Sequence, residues 1–147
     1  LKIGFLESGG WDTHTQEGTV NGAFSRPAKE LAQSVAAFWE DIGDLKERVV
    51  VVASSEFGRT VAENGSQGTD HGRGSCMFVL GNKVNGGKVY GSVPILEQAN
   101  LEDKRDLPVT TDYRTVLATV LRRHMAIRDL AKIFPDWKGK ELDIWQA

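Results

Sequence analysis

Five side chains of metal-ligating type fall in two polar, glycine-rich segments: Asp12 and His14 in Gly10-Trp11-Asp12-Thr13-His14, and Glu56, Asp70 and His71 between Ser54 and Gly72. Three carboxylates and two imidazoles with no thiolate form the donor set of zinc in a hydrolytic site, with manganese or calcium as the other divalent ions to consider. In extended backbone, residues two apart share a side, so Asp12 and His14 could reach one ion. Asp70 and His71 are adjacent and point to opposite sides. They could serve different ions of a pair, or one could be a ligand and the other an outer carboxylate or imidazole. Such a centre suits ester hydrolysis, in which metals polarise a phosphoryl or sulfuryl oxygen and activate a nucleophile. Arg59 is the candidate catalytic anion clamp, and Arg73 flanks the ligands on the other side; a guanidinium can grip an anionic oxygen pair with two N–H groups. The simpler roles are turn closure by Asp12 or Thr13, a surface His14 and solvated arginines.

These residues need strands and helices to carry them. Val49 to Ala53 is a β-branched apolar run with the length of a buried strand, and Lys2 to Glu7 reads as a strand broken by Ser8-Gly9-Gly10. Between them Ser25, as N-cap, and Pro27 open a helix with Leu31, Val35, Phe38, Ile42 and Leu45 along one stripe. The order β-α-β implies a right-handed crossover between parallel strands, whose carboxyl-end loops would open on one edge. Cys76 to Leu80 reads as a further buried strand, with Cys76 as a core residue, and Asn85-Gly86-Gly87 as a hairpin turn between short strands ending at Val89 and Tyr90. Thr110 or Thr111 caps a second helix bearing Tyr113, Val116, Leu117, Val120 and Leu121. His124 is accounted for by the helix C-terminus. A turn at Leu130 to Phe134 and a tail through Trp137 and Trp145 pack on the body.

The chain of 147 residues suffices for one α/β domain spanning 1–147. Its formal charge of -2 gives no basic field for nucleic acid. No apolar run is long enough for a membrane span, and the lone Cys76 makes no intrachain disulfide. The chain starts at Leu1 inside what reads as a strand, with no Met and no signal peptide, so the expectation is the C-terminal part of a longer protein.

The order Gly10-Trp11-Asp12-Thr13-His14, Ser55-Glu56-Phe57-Gly58-Arg59-Thr60, Asn64, Gly68-Thr69-Asp70-His71-Gly72, Leu80-Gly81 and Gly86-Gly87-Lys88-Val89-Tyr90-Gly91 resembles the C-terminal half of a bacterial family of unknown function in the alkaline phosphatase and sulfatase superfamily. Thr111-Asp112-Tyr113-Arg114 and Phe134-Pro135 extend the resemblance over nearly the whole chain. It implies a three-layer α/β/α sandwich with a mostly parallel sheet, of which this chain is a partial domain, and metals at the strand ends. Members often carry a twin-arginine export signal, which implies a periplasmic or secreted protein. By resemblance Asp12 and His14 match the superfamily's spaced Asp and His, and His71 matches its downstream His. Glu56-Phe57 stands where the superfamily has an adjacent Asp-His pair, so one imidazole is replaced. The superfamily's Ser, Thr or Cys nucleophile lies in an N-terminal region that this chain lacks.

Two functions from different classes follow. One is the metal-binding portion of a hydrolase acting on a small anionic phosphate or sulfate ester, with Asp12, His14, Glu56 and His71 as ligands, Asp70 as ligand or outer carboxylate, and Arg59 as anion clamp; alone the fragment would be inactive or nearly so. The other is a non-catalytic module that uses the same pocket to bind a metal or an anion, such as a sulfated or phosphorylated glycan. Oligomeric state is open.

Overall fold

A computed structural model describes residues 2–146. The chain is mixed α/β with two small antiparallel sheets. Helix α1 covers Ser25–Asp41, strand β1 Val51–Ser54, β2 Gly58–Arg59, β3 His71–Gly72, β4 Met77–Leu80 and helix α2 Tyr113–Arg123. β1 pairs with β4 in the register Val51↔Leu80 to Ser54↔Met77, and β2 pairs with β3 as Gly58↔Gly72 and Arg59↔His71.

The expected parallel β-α-β unit is not formed among the described residues. Lys2 to Glu7 has no strand partner, and Ile3, Phe5 and Leu6 are 67%, 84% and 95% exposed, so no apolar contact anchors them in a ladder. β1 finds its partner in β4 instead. A chain that doubles back can close an antiparallel pair directly, whereas a parallel pair needs a long crossover. The strand read as Val49 to Ala53 is shifted to Val51–Ser54, with Val51, Val52 and Ala53 half-buried rather than fully buried and Ser54 exposed.

The loop between β1 and β4, featureless by sequence periodicity, doubles back on itself through the β2–β3 ladder. Cys76 precedes β4 and is exposed, which corrects its assignment to the core. No hairpin forms at Asn85-Gly86-Gly87. The Tyr90 hydroxyl donates to Asn85 O at 2.7 Å, and Val84 bridges antiparallel to Trp145 in the tail.

The core sits at α2 and the tail: Val116, Ala118, Val120, Leu130 and Ile144 are buried together with Val84. α2 starts from Asp112 rather than from Thr110 or Thr111. The Asp112 carboxylate accepts the Arg114 N–H at 2.9 Å, the N-cap bond that satisfies a free helix-end donor. Within α2, Val116 and Val120 are buried as the apolar spacing predicts, Leu117 and Leu121 are half-buried, and Tyr113 is exposed. The tail is held by the Leu142 N–H on Thr119 Oγ1, by Trp137 Nε1 on Thr115 Oγ1, and by Asn85 N–H on Ile144 O.

α1 begins one residue earlier than read. Phe24 is the N-cap without a side-chain bond, while Ser25 Oγ donates to Gly22 O at 2.8 Å. Pro27 lies in the first turn and is its buried residue. Leu31, Val35 and Ile42 are half-buried, whereas Phe38 and Leu45 stay 46% and 55% exposed. The apolar stripe exists, but among the described residues little covers it.

Candidate metal centre

The Asp12–His14 segment is placed by its backbone. The Thr13 N–H donates to Trp11 O, the Thr69 N–H donates to Thr13 O at 3.2 Å, and the Thr13 side chain is buried. Alternation then turns Asp12 and His14 to the opposite, open side. Gly68 makes the approach possible: a Cβ there would stand 2.3 Å from the His14 carbonyl carbon, closer than any side chain tolerates. Gln16 and Gln67, both in the left-handed region at φ 47° and 60°, add backbone bonds from Gln16 N–H to Ser66 O and Glu17 N–H to Gln67 O. Non-glycine residues in that region cost about 1 kcal/mol or more each, so the surrounding bonds hold the loops in a conformation they would not choose alone.

From Gly68 the chain runs into Asp70 and β3, and the β2–β3 ladder sets His71 opposite Arg59. The result is a triangle of donor atoms. Asp12 Oδ1 lies 2.9 Å from His14 Nε2 and 2.9 Å from His71 Nε2, and the two imidazole nitrogens are 3.1 Å apart. Metal–ligand bonds of about 2.0–2.2 Å at angles of about 90–110° place neighbouring donors about 3 Å apart. Asp12, His14 and His71 therefore form a triad able to hold a metal ion. Side-chain exposures of 71%, 40% and 48% leave it open to solvent.

Each ligand has a support behind it. His14 Nδ1 faces Asp70 Oδ1 at 3.0 Å. In the tautomer that donates Nδ1–H to this carboxylate, Nε2 keeps its lone pair for a metal ion. His14 and, secondarily, Asn64 hold the Asp70 carboxyl below the usual carboxylate range. Asn64 uses its whole amide: Nδ2 donates to His14 O and Asp70 Oδ1, both at 3.0 Å, and Oδ1 accepts the Ser66 and Gly68 N–H groups. The Phe57 ring stacks on His71 with centroids 4.1 Å apart. His71, with help from His14 and Arg59, holds the Asp12 carboxyl below its ordinary value against the opposing effect of burial.

Arg59 is the knot of the site. Nη2 donates to Trp11 O at 2.6 Å and Asp12 Oδ1 at 3.0 Å; Nη1 donates to Thr69 O at 2.9 Å and lies 3.4 Å from His14 Nε2. Its terminal N–H groups are thus turned inward to both ligand loops, and its side chain is 20% exposed. Arg73 pairs instead with Glu102 at 3.0 Å.

The structure brings together Asp12, His14, His71, Asp70 and Arg59, with Asp70 behind His14. It leaves Glu56 apart, exposed and with no side-chain hydrogen bond or ion pair among the described residues. Sequence reading gave no role to Asn64, to Phe57 as a stacking partner, or to Glu17, whose Oε2 accepts the Thr69 hydroxyl at 2.6 Å. An Asn-Gly pair is a turn signal, but nothing in the spacing ties Asn64 to residue 14. It also missed Asp106, 1% exposed, which pairs with Arg105 through both carboxylate oxygens at 2.9 and 3.1 Å and bridges to Thr60 at the base of the ligand loop.

No curated protein matches the chain, and no solved structure does. Residues 2–134, a span that includes every residue of the centre, match the family described as "Protein of unknown function (DUF1501)", and the chain belongs to that family.

Proposed function

We propose that this chain is the metal-binding portion of a hydrolase of phosphate or sulfate esters, holding one divalent ion, zinc before manganese or calcium, on Asp12, His14 and His71. The observation that carries this reading is the triangle of one carboxylate oxygen and two imidazole nitrogens with edges of 2.9 to 3.1 Å. When bound, the ion would polarise an ester oxygen as a Lewis acid. The chain's own residues prepare the site for it. Asp70 would accept Nδ1–H of a metal-bound His14, Asn64 keeps Asp70 in place, Arg59 anchors Asp12 and both loops, and Phe57 stacks on His71 and shields one of its faces.

The same reading places the nucleophile in sequence N-terminal to these residues and completes a three-layer α/β/α sandwich there, in which the exposed Ile3, Phe5 and Leu6 would gain sheet partners. It also carries the expectation of export through a twin-arginine signal to the periplasm or beyond. A second reading, a module that binds a metal or anion without turnover, draws on two observations: Glu56 stands apart from the triad, and the terminal N–H groups of Arg59 are engaged within the protein.

Metal content by inductively coupled plasma mass spectrometry, on protein purified without chelator, tests the site. About one zinc per chain, lost in His71→Ala, supports it. Absence of bound metal after incubation with zinc, manganese and calcium overturns it. The protein expressed from its full natural reading frame is then assayed on aryl phosphates and sulfates. Hydrolysis that depends on His71 supports the enzyme, and metal binding without hydrolysis selects the module.

A further inference from the structure

One open cavity among the described residues is lined by no residue of the metal triad. It has a volume of about 560 Å³ at the C-terminal end of α2 and is lined by Arg122, Arg123, Ala126, Ile127, Arg128 and Glu141. A second cavity of about 310 Å³ shares Arg122 and Arg128 with it and continues to Trp137 and Lys138. The two form one cleft. Four cationic side chains there face two carboxylates, Glu141 and Asp129, whereas the chain as a whole carries -2. Asp129 is moreover engaged by Lys132 at 3.4 Å.

The helix C-terminus accounts for part of this charge, since its exposed carbonyls favour Arg122 and Arg123 in the last turn. It does not account for Arg128, which lies beyond the helix and has no ion-pair partner among the described residues. Nor does it account for how Glu141 is used. Its Oε1 accepts from Arg122 Nη1 at 2.9 Å and its Oε2 from Arg123 Nε at 2.8 Å. One carboxylate, 21% exposed, thereby orients two guanidinium groups while taking a single N–H from each. The remaining N–H groups of both have no other hydrogen-bond partner among the described residues, and both side chains line the cleft together with Arg128. Preset guanidinium donors of this kind match the oxygens of a tetrahedral oxyanion. Trp137, fixed through Nε1 on Thr115 Oγ1, gives the far end an aromatic wall next to Lys138.

We propose that this cleft binds the sulfate or phosphate group of an anionic ligand, with Arg122, Arg123 and Arg128 as its donors, at a site separate from the metal triad. Such a site would hold an ester by its charged group away from the metal. The assignment goes beyond the hydrolase reading and stands whether or not the chain turns over a substrate.

The test is isothermal titration calorimetry of the whole chain with a sulfated disaccharide, its unsulfated counterpart, inorganic sulfate and inorganic phosphate. Saturable binding of the sulfated disaccharide, absent for the unsulfated one, is expected. Arg128→Glu should weaken it at least about tenfold, the scale of one lost charged hydrogen bond, and Lys138→Glu should weaken it less, through lost attraction at the cleft's far end. His71→Ala should leave it unchanged, which separates this site from the metal centre. Stronger binding of the disaccharide than of the free ions assigns the site to an ester, and equal binding assigns it to the oxyanion alone; both support the cleft. No saturable heat with any of the anions overturns the proposal. So does unchanged affinity in both variants, or an equal loss in Lys29→Glu on α1, which would reduce the effect to general surface charge.

Discussion

The ligand loops and the α2–tail unit are held together by different physics. Around α2, stability rests on apolar burial: Val116, Ala118, Val120, Leu130 and Ile144 are 9% exposed or less, and hydrogen bonds from Leu142 N–H to Thr119 Oγ1 and from Trp137 Nε1 to Thr115 Oγ1 finish the packing. Around the triad almost nothing apolar is buried. Position there comes from directed polar contacts, with Arg59 and Asn64 each joining the 11–14 segment to the 64–71 loop. Exposed polar bonds add little free energy individually because solvent screens them. They fix geometry instead. A binding centre that must stay open to ions and anchor three donor atoms about 3 Å apart can be built this way only if its stability is supplied elsewhere.

That contrast can be broken from either side. The largest effect belongs to the triad itself: His71→Ala should weaken zinc binding more than 100-fold or so, beyond the range for outer partners, with the unfolding midpoint of the metal-free protein unchanged. Competition with a chelating dye and urea melts measure the two. Ile144→Ala should do the reverse, lowering stability by about 3 kcal/mol as a buried side chain is truncated, while leaving the metal affinity of the folded fraction intact. Loss of metal affinity in step with stability in Ile144→Ala would mean that the two regions are one unit.

Smaller perturbations sharpen the comparison. Asp70→Asn should lower metal affinity about 10–100-fold by disturbing the protonation of His14, without displacing a ligand. Asp112→Ala removes the cap of α2 and should cost about 1 kcal/mol. The Asp112 carboxyl is held below its ordinary 3.8 chiefly by the Arg114 side chain. A depressed folded-state pKa stabilises above the unfolded value and loses that contribution as pH falls through the folded value. The wild-type advantage over Asp112→Ala should therefore be full near neutrality and fade below 3.8, as stability against pH will show. The smallest effect is expected for Thr13→Val. Its buried Oγ1 has no hydrogen-bond partner, so an apolar isostere should be neutral or slightly stabilising in thermal melts.

Legibility from sequence follows the same division. α1 and α2 were readable because apolar spacing is a local signal; the differences lie at the caps, where Phe24 and Asp112 replaced Ser25 and the threonines, and at Phe38, Leu45 and Tyr113, which the spacing puts on the apolar face and the structure leaves exposed. The residues of the triad were readable by type, and the shared side of Asp12 and His14 by strand alternation. What could not be read was pairing. β1 returning to β4, and Arg59 facing His71 across β2–β3, depend on contacts between residues distant in sequence and on glycines that admit close approach. The inward use of Arg59 was hidden for the same reason. That its N–H groups reach the carbonyls of Trp11 and Thr69 depends on contacts that spacing along the chain does not encode.

Asn64 sets a clock on the centre. It precedes Gly65, and an asparagine followed by glycine is the peptide step at which a backbone N–H most readily attacks the side-chain amide and expels ammonia. That attack requires the amide to turn toward Gly65, and four hydrogen bonds hold it in another direction. Folded protein therefore ages slowly at this position, and unfolded protein quickly. Once converted to aspartate, residue 64 would offer a second carboxylate to Asp70 where it now offers an amide donor, and the support of His14 would be repelled instead of held. The fraction of that amide converted, readable by peptide mass mapping, thus records how much time the ligand loop has spent open.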